Sequence, residues 1–116
     1  TELRQFRNLA AELLTELINA ETGQRGFLLT LDRDYLGPYQ AAQPRVAESL
    51  RRLRQSRLSE RVAADIDRLT ALANAKLAEL AETIRLAEAG RTAAALDIIK
   101  SDRGRKTMDE FRVVLG

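Results

Sequence analysis

Apolar positions recur along the first third of the chain at steps of three and four residues. Leu3, Phe6, Ala10, Leu13, Leu17, Leu28 and Leu31 follow one helical stripe, and Glu21 and Gln24 occupy two of its positions. The phase predicts a helix over about 1–30, roughly 45 Å long at 1.5 Å per residue. Leu9, Leu14 and Ile18 widen the stripe beyond a two-stranded seam, which suits a bundle. Gly23 and Gly26 interrupt it, and each costs ~1 kcal/mol relative to Ala inside a helix. Such a cost points either to a close approach by another backbone or to a helix built to yield. The alternative is that the helix ends at Gly23 with a glycine cap.

Asp32-Arg33-Asp34 reads as a polar corner, with Asp34 as the N-cap of the next helix. Pro38 fits a first turn, whereas Pro44 predicts a kink or a late start. Val46, Leu50 and Leu53 then keep helical phase. Ser59 is the expected N-cap of a third helix, whose stripe runs Val62, Ile66, Leu69, Ala73, Leu77, Leu80, Ile84 and Ala87. Gly90 suits a left-handed cap. Thr92 is placed to cap a short helix over 93–100 with Leu96, Ile98 and Ile99 as apolar cover. A break at Ser101-Asp102-Arg103-Gly104 precedes a last helix carrying Met108, Phe111, Val114 and Leu115. The expected architecture is all-α, an antiparallel up-down-up-down four-helix bundle with long helices and short connections, in one domain over 1–116.

Six glycines, two prolines and 4% aromatic residues agree with long Ala- and Leu-rich helices rather than strands. Nineteen basic and seventeen acidic residues leave a net charge of +2, which is not the footprint of a nucleic-acid binder. The absence of Cys excludes disulfides and thiolate metal sites, and the absence of His removes the commonest general base and metal ligand. No catalytic residues, metal site or cofactor are expected, and the chain is not read as an enzyme. No apolar run reaches the ~20 residues of a membrane span.

Polar residues on apolar faces are the candidate chemistry. Glu21 and Gln24 would point inward, and buried polar groups need partners. Glu21 precedes Arg25 by one helical turn, the favourable order for an ion pair. Counting down from the corner near Asp32, and from a last helix starting at Gly104, puts Asp109 and Arg112 at a matching depth. The expectation is a polar layer of Glu21, Gln24, Arg25, Asp109 and Arg112, with Gly23 and Gly26 as close-packing positions. Lys76 breaks into the third stripe, either as a surface lysine reaching water or as the partner of a carboxylate. Arg45, Arg51, Arg52, Arg54, Arg57 and Arg61 read as a solvated face, or as attraction to anionic headgroups or an acidic partner. The last helix is short, which predicts that it continues beyond Gly116, with both ends of the domain at one pole.

The stretch Glu21-Thr22-Gly23-Gln24-Arg25-Gly26-Phe27-Leu28-Leu29-Thr30 resembles the opening motif of the third class of CHASE-type sensory domains, together with Tyr35-Leu36 and Pro38-Tyr39. Ala75-Lys76-Leu77-Ala78-Glu79-Leu80 with Thr83-Ile84, Gly104-Arg105-Lys106 and Met108-Asp109-Glu110-Phe111-Arg112 resemble its later segments. Leu31 departs from the pattern, which has Gly there. The resemblance implies an extracytoplasmic helical sensor between two transmembrane helices, working as a homodimer and feeding a cytoplasmic effector such as a histidine kinase, cyclase or chemoreceptor. Its ligand is not specified. The competing reading is a structural or dimerisation bundle in which the polar layer only fixes register.

Overall fold

In the computed structural model the chain is all-α and elongated, 47 × 26 × 17 Å, with residues 1–56, 60–101 and 103–116 described. Among the described residues there are five helices: α1 (Glu2–Thr30), α2 (Gly37–Gln55), α3 (Glu60–Glu88), α4 (Thr92–Lys100) and α5 (Arg103–Leu115). A 3-10 turn, Arg33–Leu36, precedes α2. The short helix expected over 93–100 accounts for the fifth, beside the four expected of the bundle. The long helices are α1 and α3, at 29 residues each, while α2 has 19 and α5 has 13.

α1 runs unbroken through Gly23 and Gly26, so Gly23 is not a helix end. Thr1 starts it by accepting a hydrogen bond from the Arg4 N–H at 3.2 Å. Leu31 ends it in the left-handed region (φ 55°, ψ 21°), its N–H donating to the Phe27 carbonyl at 2.6 Å. A leucine thus performs the turn that glycine makes more cheaply. The buried positions of α1 are Phe6, Leu9, Ala10, Leu13, Leu17, Ala20, Gly23, Gln24 and Phe27. Past Leu17 this seam steps to Ala20 and Phe27 rather than to Glu21 and Leu28. Leu3 and Leu31 are exposed, and Glu21 lies on the flank.

Asp32, not Asp34, supplies the corner cap, accepting from the Asp34 N–H at 2.9 Å. α2 starts before Pro44 and contains it, which excludes the late start. The expected Ser59 cap lies outside the described residues, as do Arg57 and Asp102. α3 buries every residue of its expected stripe except the half-buried Leu77. Gly90 adopts the left-handed cap (φ 79°). α4 begins at Thr92 itself, with Arg91 at the cap position and no side-chain cap, so Thr92 does not cap it. Only Ala95 of α4 is buried, and Leu96 faces solvent.

Helix pairs fix the registers. Arg52 of α2 pairs with Glu12 of α1 at 3.2 Å, and Tyr39 of α2 lies against Gly23 of α1. Arg68 of α3 pairs with Glu110 of α5 at 2.6 Å, and Glu79 of α3 lies against Gly104. The apolar interior has a large cluster that includes Phe6, Leu13, Leu53, Ile66, Leu69 and Phe111. A smaller one near the corner holds Phe27, Leu36, Ile84 and Ala87. Between them lies a narrow waist of Ala20, Ala42 and Leu80. Small residues at the waist let the helices approach closely, and the buried polar side chains of α1 and α3, Gln24, Lys76, Glu79 and Thr83, lie on the adjoining turns.

Candidate functional site

Gln24 sits four residues past Ala20 on the buried seam of α1 and is only 2% exposed. Its amide donates to Thr83 Oγ1 of α3 at 2.8 Å. Thr83, fully buried, donates in turn to the Leu80 carbonyl at 2.9 Å. The amide is therefore satisfied through a short relay that ends on the α3 backbone. Left without a partner, a buried group of this kind costs ~1–3 kcal/mol.

One turn below, Lys76 projects from the inner face of α3 and is 2% exposed. Its Nζ lies 2.6 Å from Glu21 Oε2 on α1 and 3.6 Å from Glu79 Oε1, three residues along α3. A buried ammonium needs such partners, because desolvation disfavours the charged form. Glu79 is 6% exposed, and its second oxygen stands 3.9 Å from Arg103 Nε. Arg103 also reaches Glu82 at 3.3 Å. The Glu79 carboxylate occupies the place where a side chain at Gly104 would be. This sets a carboxylate against the first turn of α5, where the helix dipole favours negative charge. Gly104 is thus required by close approach. Together Glu21, Lys76, Glu79 and Arg103 link α1, α3 and α5.

Gly23 is a second close approach. A Cβ there would come within 2.5 Å of the Tyr39 backbone nitrogen and 2.9 Å of Tyr39 Cβ. At Gly26 the neighbour is the Tyr35 side chain, 3.0 Å away at Cδ1, and Tyr35 is half exposed. The close approach of another backbone fits the geometry at Gly23, whereas at Gly26 the neighbour is a side chain of the corner.

The polar cluster opens sideways into a cleft of about 380 Å³ lined by residues of α1, α3, α4 and α5. Glu21, Gln24, Arg25 and Arg112 line it, together with Lys76, Glu79, Gly104 and Arg105. The expected layer is corrected in two ways. Asp109 is not among the lining residues; it is exposed, between Arg105 at 3.8 Å and Arg112 at 3.6 Å. Arg25 and Arg112 are also solvent-exposed and meet the cleft only at its mouth, Arg25 staying 3.4 Å from Glu21. The cause is which face of α5 turns inward. α5 turns Gly104 and Met108 inward, with Arg105 and Arg112 beside them at the cleft, and Asp109 falls farther round the helix on the exposed flank. The partner of Glu21 across the interior is Lys76 of α3.

Sequence reasoning left Lys76 open and passed over Glu79, Thr83 and Arg103. Their signal was present: Lys76, Glu79 and Thr83 follow steps of three and four, the rhythm of the buried stripe beside them. The arginine-rich stretch of α2 faces solvent at Arg45, Arg51, Arg52 and Arg54. Arg51 donates to Glu48 at 2.9 and 2.5 Å, and this hydrogen bonding holds the Glu48 carboxyl below the ordinary carboxylate range. Among the described residues no helix is long and apolar enough to cross a membrane, and no group of acidic residues is spaced to hold a metal ion.

The family model of the CHASE3 domain matches the chain over residues 1–116. The chain belongs to this family, which comprises extracellular, non-catalytic sensory domains of signalling proteins. No curated protein and no solved structure matches it.

Proposed function

We propose that this chain is the signal-input domain of a membrane-bound signalling protein, a sensor histidine kinase in the form we favour. As a single extracytoplasmic domain it would relay a stimulus by helix rearrangement to a cytoplasmic effector. The observation that carries this reading is the buried ionic joint of Glu21, Lys76 and Glu79 at a narrow waist of the core. Apolar packing is tolerant of small slides, but charged partners have discrete pairings. A joint of this kind gives α1 and α5 distinct positions relative to α3, and a stimulus needs only to favour one of them.

Connectivity supports the same reading. The pairs Glu12–Arg52 and Gly23–Tyr39, with Arg68–Glu110 and Glu79–Gly104, support an up-down-up-down order of α1, α2, α3 and α5. Thr1 and Gly116 line one and the same cavity with Phe6, Val62 and Val114. First and last helices that meet at one pole suit attachment to two adjacent spans. A homodimer is the assembly in which such a domain would pass its motion on.

The test is a chimaera in which this chain replaces the input domain of a membrane-bound sensor histidine kinase. Glu21→Gln and Lys76→Met should shift basal autophosphorylation away from the parent chimaera. An unchanged basal output with a folded domain would reduce the joint to a register device and favour a purely structural bundle.

A further inference from the structure

We propose that the pole where α1 begins and α5 ends is a contact surface for the anionic headgroups of a membrane. Its place beside a bilayer rests on the input-domain reading above; the surface itself does not. Two hollows that share Thr1 mark this pole. One is bordered by Arg7 of α1, Arg61 of α3 and Val113 of α5, the other by Arg4 of α1 and Arg52 of α2. Arg54 stands beside Arg52 on the last turn of α2. Three helices thus bring arginines to one end of the molecule.

All five of these arginines are exposed. Arg52 is tied to Glu12 at 3.2 Å. Among the described residues, Arg4, Arg7, Arg54 and Arg61 have no side-chain ion pair. The acids of the pole are placed differently. Glu2 and Asp65 line the same hollow as Arg7 and Arg61, but both are half-buried. Glu60 is the exposed carboxylate of the first turn of α3. The outward charge is therefore positive. The opposite pole carries no such excess. There Arg33 is held by Glu88, and Asp32 and Asp34 stand against Arg85 and Arg91.

Apolar side chains lie among the arginines. Leu3 is 53% exposed and Val113 is 79% exposed, and both border the hollow of Arg7 and Arg61. Apolar tips ringed by cations suit the boundary between headgroups and acyl chains. A soluble polyanion would satisfy the arginines and leave Leu3 and Val113 in water. Each basic residue held near an anionic surface strengthens partitioning roughly fivefold. The attraction acts within about 10 Å in ordinary salt, so it reaches only the end of the bundle.

The experiment is co-sedimentation of this chain with vesicles of phosphatidylglycerol and phosphatidylcholine, and with vesicles of phosphatidylcholine alone. Binding is expected to the first and not the second, and should weaken as salt is raised. Arg4→Gln with Arg7→Gln should weaken it at least about tenfold. Arg85→Gln with Arg91→Gln, the same change of net charge at the opposite pole, should leave it unchanged. Leu3→Ser with Val113→Ser should weaken vesicle binding without altering binding to soluble dextran sulfate. No binding to the anionic vesicles up to about 10 mM lipid, equal binding to the neutral ones, an equal loss in the Arg85 and Arg91 variant, or undiminished binding in the Leu3 and Val113 variant would overturn the proposal. Vesicle binding at this pole, with basal output of the chimaera unmoved by Glu21→Gln and Lys76→Met, would keep the surface and remove the input reading. Absent vesicle binding with a shifted basal output would do the reverse.

Discussion

Nζ of Lys76 stands 2.6 Å from Oε2 of Glu21, which joins the middle of α3 to the last third of α1 inside the protein. The lysine is buried, while the glutamate keeps 22% of its side chain exposed at the edge of the cleft. That asymmetry makes the pair both structural and reachable. Solvent or a ligand can touch the glutamate, and the lysine carries the consequence into the interior.

The Gln24–Thr83 hydrogen bond lies deeper and should behave as a matched set. Thr83→Val keeps the volume but strands the Gln24 amide, for an expected loss of ~1–3 kcal/mol. Adding Gln24→Leu removes the stranded group and should recover most of that loss. A double-mutant cycle by urea denaturation checks this. Additive losses would show that the two side chains act independently.

The two glycines of the opening motif should separate. Gly23→Ala pushes a methyl onto the Tyr39 backbone, and α1 and α2 must move apart. Overpacking of this kind costs ~1–3 kcal/mol, outweighing a helix-propensity gain of ~1 kcal/mol. Gly26→Ala meets mainly the Tyr35 side chain, half exposed and able to turn aside. There the two effects should nearly cancel, leaving a change within ~0.5 kcal/mol. Thermal melts of the two single variants decide it, and equal destabilisation would contradict the packing described.

Leu31 holds a left-handed conformation while more than half exposed. The conformation costs a branched residue ~1–2 kcal/mol, partly offset by the entropy that glycine loses on folding. Leu31→Gly should therefore stabilise the protein by ~0.5–1 kcal/mol. A lowered melting temperature would mean that the leucine side chain has a packing role at the corner.

Tyr39 adds a pH dependence. Burial, followed by the nearby Glu88 carboxylate, raises its phenol above the ordinary value of 10.0. A raised folded value means that the unfolded chain releases the proton first. The associated stability is thus complete below pH 10 and lost as pH climbs through the folded value. Stability against alkaline pH should fall more gently in Tyr39→Phe than in the parent, and identical curves would contradict this.

Much of the helical frame was legible because apolar phase is a local property. The stripe passed through Gly23 and Gly26 intact, and α1 does the same; Gly90 announced its own left-handed cap. The polar interior was harder to read. Glu79 is charged and, taken alone, reads as a solvated side chain. Its burial depends on Gly104, distant in sequence, leaving room for a carboxylate. Arg112 does line the cleft with Glu21, Gln24 and Arg25, whereas Asp109 lies farther round α5, on its exposed flank, which a count of depth along the helix does not reveal. Glu21 was assigned to the centre of the stripe, since steps of three and four allow either flank. The actual seam drifts to Ala20, so Glu21 reaches Lys76 from the side.

The ionic joint of Lys76 ties α1 to α3 inside the protein and sets how firmly the two helices hold each other. The direct measurement is the unfolding free energy of Lys76→Met by urea denaturation. Removing the ammonium leaves the buried Glu79 with Arg103 at 3.9 Å, beyond hydrogen-bond distance, and a loss of ~3–5 kcal/mol is expected, as for a broken buried pair. A loss of only ~0.3–0.5 kcal/mol, the value of an exposed helix pair, would contradict it.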